Sequence, residues 1–297
     1  MAQRRFDKMR QEYLKLTPRY KSMEEMEYLS ADIFLTGSDQ VWGPTVGGEL
    51  DKAYLLEFAS EGRKGAYAAS FGKTAFTPEA AEIFKESIGK YYAVAVREDS
   101  AVKLLDKWGL ENCMGRVLDP TLMLSAEEWA KLLDIPEKRA IEEPYILIYQ
   151  IHNDPKLSAY AKELANITGK KLVRVNPFMH QALRGGKFIC CPDASNFLQL
   201  IRDADLLVTD SFHGTCFAVT FNTQFVEILP NNNTGTRNIG LLSMLFMEHR
   251  IVGDFKDYSV INNKTIYESV NILVKAERLR SKEILKSILG PSRSTTD

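Results

Sequence analysis

Short apolar runs that end in a polar turn and pass into a helical stretch recur along this chain, and that rhythm limits what it can build. The first half carries Asp32-Ile-Phe-Leu-Thr36 before Gly37-Ser38-Asp39, and Gly65-Ala-Tyr-Ala-Ala-Ser70 before Phe71-Gly72-Lys73. It continues with Tyr92-Ala-Val-Ala-Val96 before Arg97-Glu98-Asp99-Ser100, and Gly115-Arg-Val-Leu118 before Asp119-Pro120-Thr121. Helical stretches follow at 78–92 and 100–108. A second series reads strand 145–150, helix 154–168, strand 172–175, helix 194–203, strand 205–209, helix 211–221 and strand 224–228. Strands apolar on both faces and alternating with helices predict mainly parallel sheets covered on both sides. Two such series in 297 residues predict an α/β protein of two Rossmann-like domains.

The segment 134–144 is charged, carries two prolines and reads as the interdomain linker. The expected division is an N-terminal domain over 1–140, a C-terminal domain over 141–263, and a C-terminal helix and disordered tail over 264–297. The helix, about 264–289, is amphipathic and is stopped by Gly290-Pro291. Residues 3–28 place Phe6, Met9, Tyr13 and Leu14 on one face of a helix.

Lys and Arg (38) balance Asp and Glu (39), so no global field draws nucleic acid or an anionic membrane, and any anion needs a local site. Cys113, Cys190, Cys191 and Cys216 lack CxxC or zinc-like spacing, and the adjacent pair reads as two small side chains in or beside a strand. No HExxH, DxD-type pair or cysteine cluster implies a metal. No apolar run reaches about 18 residues, and the basic start has no apolar stretch behind it, so the expectation is a cytoplasmic protein without a transmembrane segment.

In open parallel sheets ligands sit beyond the carboxyl ends of the strands, and a crevice between two such domains is a natural pocket. In Thr209-Asp-Ser-Phe-His-Gly-Thr215 a buried strand feeds a helix whose first turn carries His213. Open N–H groups and the positive end of the dipole favour an anion there. A histidine in that turn can donate to a phosphate or carboxylate, or move a proton near neutral pH. Ser211, Gly214 and Thr215 are candidate contacts to the same anion. The segment reads equally as a cap by Asp210 or Ser211 with His213 packed against a neighbour. Ser38 and Asp39 cap a helix or face a sugar hydroxyl, Asp39 being a general-base candidate. Arg97 is either half of a surface ion pair or a forked donor to an anion. Ser70 and Lys73 add a hydroxyl and a cation at the same edge. His152, His180 and His249 read as surface or packing residues.

Taken in order, Asp32-Ile-Phe-Leu-Thr-Gly-Ser-Asp-Gln-Val-Trp42, Ala66-Tyr-Ala-Ala-Ser-Phe-Gly72, Arg97-Glu-Asp-Ser100, Val117-Leu-Asp-Pro-Thr121 and Thr209-Asp-Ser-Phe-His-Gly-Thr215 resemble the polysaccharide pyruvyl transferase family. Gly235-Thr-Arg237, Leu241-Leu242 and Arg250 are similar to that family's C-terminal pattern. The resemblance implies a GT-B-like fold and transfer of pyruvate from phosphoenolpyruvate to a sugar as a ketal, with no other cofactor. It implies a glycan acceptor of the cell surface or its lipid-linked precursor, and transient association with membrane-bound assembly machinery. It puts donor contacts at His213 and Arg97; for the ketal chemistry Arg237 is an assisting candidate, and Asp39, with Ser38 beside it, is the candidate base or hydroxyl ligand on the acceptor side. Some relatives carry Arg-Leu-His where this chain has Ser211-Phe212-His213. Members usually begin with a strand and an Asn-Tyr-Gly-like loop, for which no counterpart precedes Asp32. A GT-B-type sugar-nucleotide glycosyltransferase and a truncated, non-catalytic member are the other readings.

Overall fold

A computed structural model describes residues 2–43, 50–60, 62–230 and 235–290; the tail 291–297 lies outside the described residues. The chain forms two compact bodies. The N-terminal body comprises residues 18–123 with the chain from Val274 onward, and the C-terminal body comprises the chain up to Thr17 with Leu124–Leu273.

This division departs from the expected boundaries at 140/141 and 263/264. The proline-containing segment 134–144 is not a free linker, because the C-terminal body holds it by hydrogen bonds. Arg139 Nη2 donates to the Asp203 carbonyl at 2.7 Å, Ala140 N to the Asp203 carboxylate at 2.8 Å, and Gln199 Nε2 to the Lys138 carbonyl at 2.6 Å.

In chain order the elements are α1 (Ala2–Tyr13), α2 (Met23–Met26), β1 (Phe34–Gly37), β2 (Lys64–Ala69), α3 (Pro78–Gly89), β3 (Ala93–Val96), α4 (Asp99–Lys107) and β4 (Cys113–Arg116). There follow α5 (Ala126–Leu132), β5 (Tyr145–Tyr149), α6 (Pro155–Thr168), β6 (Lys171–Asn176), β7 (Lys187–Cys190), α7 (Ala194–Arg202), β8 (Leu206–Thr209), α8 (Phe212–Phe221) and β9 (Phe225–Glu227). The last two are α9 (Thr236–Met244) and α10 (Tyr267–Leu289). Of the helical spacing read within residues 3–28, Phe6, Met9 and Tyr13 fall in α1, and Pro18 lies in the break between α1 and α2.

The N-terminal sheet is parallel with order β1-β2-β3-β4. Right-handed crossovers advancing in one direction put α3 and α4 on the same face. That face carries Val94, Val96, Phe71, Phe84, Ile88 and Leu105 in one core. Side chains alternate across a strand, so Ala93 and Ala95 face the other way, where Ile284, Leu285 and Ile288 of α10 cover them. Small residues in β2 and β3 let that helix approach closely, and Leu118 N donates to Ser281 Oγ at 2.9 Å on this side.

The C-terminal sheet is parallel with order β7-β6-β5-β8-β9. Strand order reverses between β5 and β8, and a doubly wound sheet opens a crevice at the carboxyl ends of such a pair. Tyr149 and Thr209 are register partners at that point.

Candidate active site

Asp210 organises the switch point of the C-terminal body. Its carboxylate accepts from the backbone N–H of Ile151 at 2.7 Å and of His152 at 2.9 Å, tying the end of β5 to the end of β8. His152 Nδ1 stands 3.3 Å from Asp210 Oδ2. Burial raises the Asp210 pKa above the ordinary carboxylate value, against the lowering by those hydrogen bonds and the histidine. His152 and Asp210 line a pocket of about 220 Å³ with Asn153, Ile228, Leu229 and Pro230. His152, expected as a surface or packing residue, is therefore part of this site. Its partner lies 58 positions away, a relation no local pattern contains.

Ser211 caps α8 by accepting from Gly214 N at 3.2 Å. The capping reading of this turn therefore holds for Ser211, which leaves its side chain committed to the helix. His213 sits in the first turn, partly exposed, with its ring centroid 5.5 Å from that of Phe212. The Arg237 guanidinium of α9 lies over the same Phe212 ring at 5.7 Å. A cation and an imidazole thus flank one aromatic ring at the start of α8. Deeper in the sheet, Arg174 is 1% exposed and donates to Ser158 Oγ at 3.0 Å; burial lowers its pKa to about 10.

Gly214 has a packing reason to be glycine. A Cβ there would stand 2.7 Å from Thr209 Oγ1 and 3.0 Å from Tyr149 Cδ1. The Thr209 hydroxyl cannot yield, since it donates to the Tyr149 carbonyl at 2.7 Å and accepts from Ser211 N at 3.0 Å. Gly214→Ala is expected to destabilise the chain by about 1–3 kcal/mol through overpacking. A urea melt would register this as a lower midpoint at unchanged slope.

Thr215 points inward, not toward an anion. Its hydroxyl is shared between the Ser211 carbonyl at 3.1 Å and the carboxyl of Glu227. One hydroxyl proton serves both only if the carboxyl brings the other. Glu227 is fully buried, accepts from Asn238 Nδ2 at 2.6 Å, and is pushed by burial well above the ordinary carboxylate pKa. A protonated Glu227 thereby ties α8 to α9, the helices that carry His213 and Arg237. The unfolded chain ionises this residue from about pH 4.3 upward. The folded chain holds its proton to higher pH, so Glu227 costs stability increasingly as pH rises between the two values. In Glu227→Gln that cost is absent, and the melting temperature of the variant relative to wild type should climb from pH 4 toward neutral.

The N-terminal body gathers its strand-end turns into one polar cluster. Arg97, its side chain 2% exposed, donates from Nη1 to Asp119 Oδ2 at 2.7 Å and from Nη2 to Asp39 Oδ1 at 3.5 Å, and Glu98 lies 3.7 Å from its Nε. Burial alone would lower its pKa, but these carboxylates outweigh burial and raise it, so the guanidinium stays charged. Ser38 Oγ donates to Asp119 at 3.0 Å, and Ser70 Oγ donates to Glu98. Asp119 also accepts from Thr121 N at 2.9 Å and Thr121 Oγ1 at 2.7 Å. Arg97 is thus neither a surface ion pair nor an open fork for an anion. It is the buried hub of three carboxylates, one of which, Asp39, keeps 65% of its side chain exposed on a backbone with φ of 59°. Lys73 is exposed at the same edge. Asp119 and Glu98 were not singled out by the sequence as site residues, although both sit inside quoted motifs.

The sequence model of the family described as "Polysaccharide pyruvyl transferase" matches residues 2–233. The chain belongs to that family. Curated proteins yield no match. Among solved structures, a Listeria monocytogenes protein described as a UDP-N-acetylglucosamine 2-epimerase is 15% identical with a TM-score of 0.54, covering 90% of this chain and 75% of that one. S. aureus MnaA with UDP is 13% identical with a TM-score of 0.53, covering 93% and 84%. UDP-GlcNAc 2-epimerase of Neisseria meningitidis, bound to UDP-GlcNAc, is 13% identical with a TM-score of 0.50, covering 92% and 88%. At these identities the likeness establishes a GT-B-type fold. Among the described residues no helix is long and apolar enough to cross a membrane, and no group of three or more His, Cys, Asp or Glu is placed to hold a metal.

Proposed function

We propose that the chain transfers a pyruvyl group from phosphoenolpyruvate to a sugar of a cell-surface polysaccharide or its lipid-linked precursor, forming a ketal. The observation that carries this reading is His213 in the first turn of a capped helix at the switch point of the C-terminal sheet, in a member of the pyruvyl transferase family. A helix start offers N–H groups and positive potential to a phosphate or carboxylate, and His213 and Arg237 add a donor and a fixed charge. The N-terminal cluster has the opposite character, with three carboxylates around one guanidinium. Such a cluster suits hydroxyl groups and repels an anion, so we assign the donor to the helix start of the C-terminal body and sugar hydroxyls to the Asp39 cluster.

In the reaction two C–O bonds form between sugar oxygens and the central carbon of the donor, and its bond to the phosphate oxygen breaks. The methylene carbon gains one proton and becomes a methyl group. The two hydroxyl protons balance that gain and the charge on the departing phosphate. His213 contacts the phosphate and delivers the proton. Asp39, exposed and held by Arg97, accepts a hydroxyl proton, and Ser38 lies beside it. Arg97 acts through Asp39 and Asp119 as a positioning residue, which refines its expected direct contact with the donor.

Ligand-dependent melting discriminates this reading from the sugar-nucleotide one. Phosphoenolpyruvate at 100 times its dissociation constant should stabilise the chain by about 2.7 kcal/mol, while UDP-sugars leave the melting temperature unchanged. A shift with UDP-sugars alone would replace the donor by a nucleotide. Phosphoenolpyruvate binding without turnover on any acceptor would identify a non-catalytic member.

A further inference from the structure

The edge strand β7 runs into two adjacent thiols, Cys190 and Cys191. Neighbouring side chains of an extended strand point to opposite faces, which would keep such a pair apart. Here the strand ends at Cys190, and Cys191 takes φ of 45°, a left-handed value uncommon for a residue with a side chain. The turn brings both sulfurs to one side, 3.8 Å apart, and within 3.9 and 3.7 Å of the Pro177 carbonyl oxygen. A backbone held in a sparsely populated region is a pointer to function when it sets reactive groups together. Both thiols are partly exposed, in contrast to buried Cys216. Both also line the cavity of about 800 Å³ between α1 and the end of β7. Its lining carries Arg5, Lys8 and Lys187 against Glu12, Asp134 and Asp193, so access and not charge decides what enters.

A disulfide bond is about 2.05 Å long, so the sulfurs need to close by roughly 1.8 Å from their 3.8 Å separation. We propose that Cys190 and Cys191 are a redox modification site that a small-molecule disulfide of the glutathione type closes into a vicinal disulfide. One thiolate attacks the small disulfide, forms a mixed disulfide and expels the first small thiolate. The second cysteine thiolate then attacks the protein sulfur of that bond, forms the Cys190–Cys191 bond and expels the second. The cysteine pair loses two electrons and two protons, and the small disulfide takes them up as two thiols.

The test uses the reduced, folded full chain exposed to glutathione disulfide, then alkylated, digested with trypsin and weighed. The peptide Phe188–Arg202 should become two hydrogens lighter and unalkylated, and dithiothreitol should reverse this. Cys190→Ser should accumulate a glutathione adduct on Cys191 instead, because the resolving thiol is gone. Wild type that stays fully alkylatable at this peptide, keeps a lasting glutathione adduct there, or forms a disulfide-linked dimer overturns the proposal. If the serine variant does not fold, the wild-type masses decide alone.

Discussion

His213→Ala is expected to abolish pyruvyl transfer while leaving the melting temperature within a few degrees of wild type. The imidazole is partly exposed in the first turn of α8, and the fold there rests on other groups: the Ser211 cap, the Thr209 hydroxyl and the Asp210 carboxylate. Removing a positioned acid typically costs 10²–10⁴ in rate, and loss of the phosphate contact adds to this. A family member has no second route if the same side chain both holds the leaving group and protonates the methylene carbon. Steady-state release of inorganic phosphate with saturating acceptor measures the first effect, and thermal unfolding the second. Full activity in this variant would remove the histidine from the mechanism. Loss of activity together with a collapse in melting temperature would reduce it to a packing residue.

Asp119→Ala should produce the largest loss of stability. Asp119 is 3% exposed, and it is the shortest ionic partner of Arg97. Breaking a buried pair by removing one member costs about 3–5 kcal/mol, because the remaining charge keeps its desolvation penalty. Glu98 and Asp39 stay near the guanidinium, which places the expected loss toward the lower end of that range. The Ser38 and Thr121 donors lose their acceptor as well. Asp119→Asn keeps the shape and an acceptor oxygen, so it should lose less than the alanine variant. Denaturant unfolding of the two variants side by side checks the order, and a cost below about 1 kcal/mol for Asp119→Ala would mean the network is not stabilising.

The strands were the legible part of this fold, because each is a short apolar run closed by a polar turn. β4 lies at Cys113–Arg116, two residues before the run at 115–118, and β7 was missed altogether. Lys187-Phe-Ile-Cys190 is brief, opens after two glycines and carries a lysine, so periodicity gives it no weight against a loop. α5 is a seven-residue helix marked only by the Ser125 capping box, and α9 has no apolar stripe strong enough to announce it. The body boundaries were unreadable for a physical reason. Charge and proline suggested a linker at 134–144, but hydrogen bonds to Asp203 and Gln199 anchor it, while the crossings fall at 17/18, 123/124 and 273/274, the last inside the continuous helix α10.

The site was legible where backbone position decides it and illegible where partners do. Strand-end turns had to carry Ser38, Asp39, Ser70 and Arg97 in one body and His213 in the other, since the parallel strands of each sheet deliver their carboxyl ends to one edge of that sheet. Nothing local indicated that Arg97 would be enclosed by Asp119 from 22 positions away, or that Thr215 would meet a protonated Glu227. Those relations arise only when neighbouring strands bring distant residues into register.

Pyruvyl transfer itself is tested most directly by following phosphoenolpyruvate isotopically labelled at its central carbon in the presence of sugars that offer paired hydroxyls. A new quaternary ketal carbon should appear by NMR, formed in step with inorganic phosphate and dependent on the full chain. Unchanged phosphoenolpyruvate alongside consumption of a UDP-sugar, or phosphate released with free pyruvate as the sole carbon product, would contradict it.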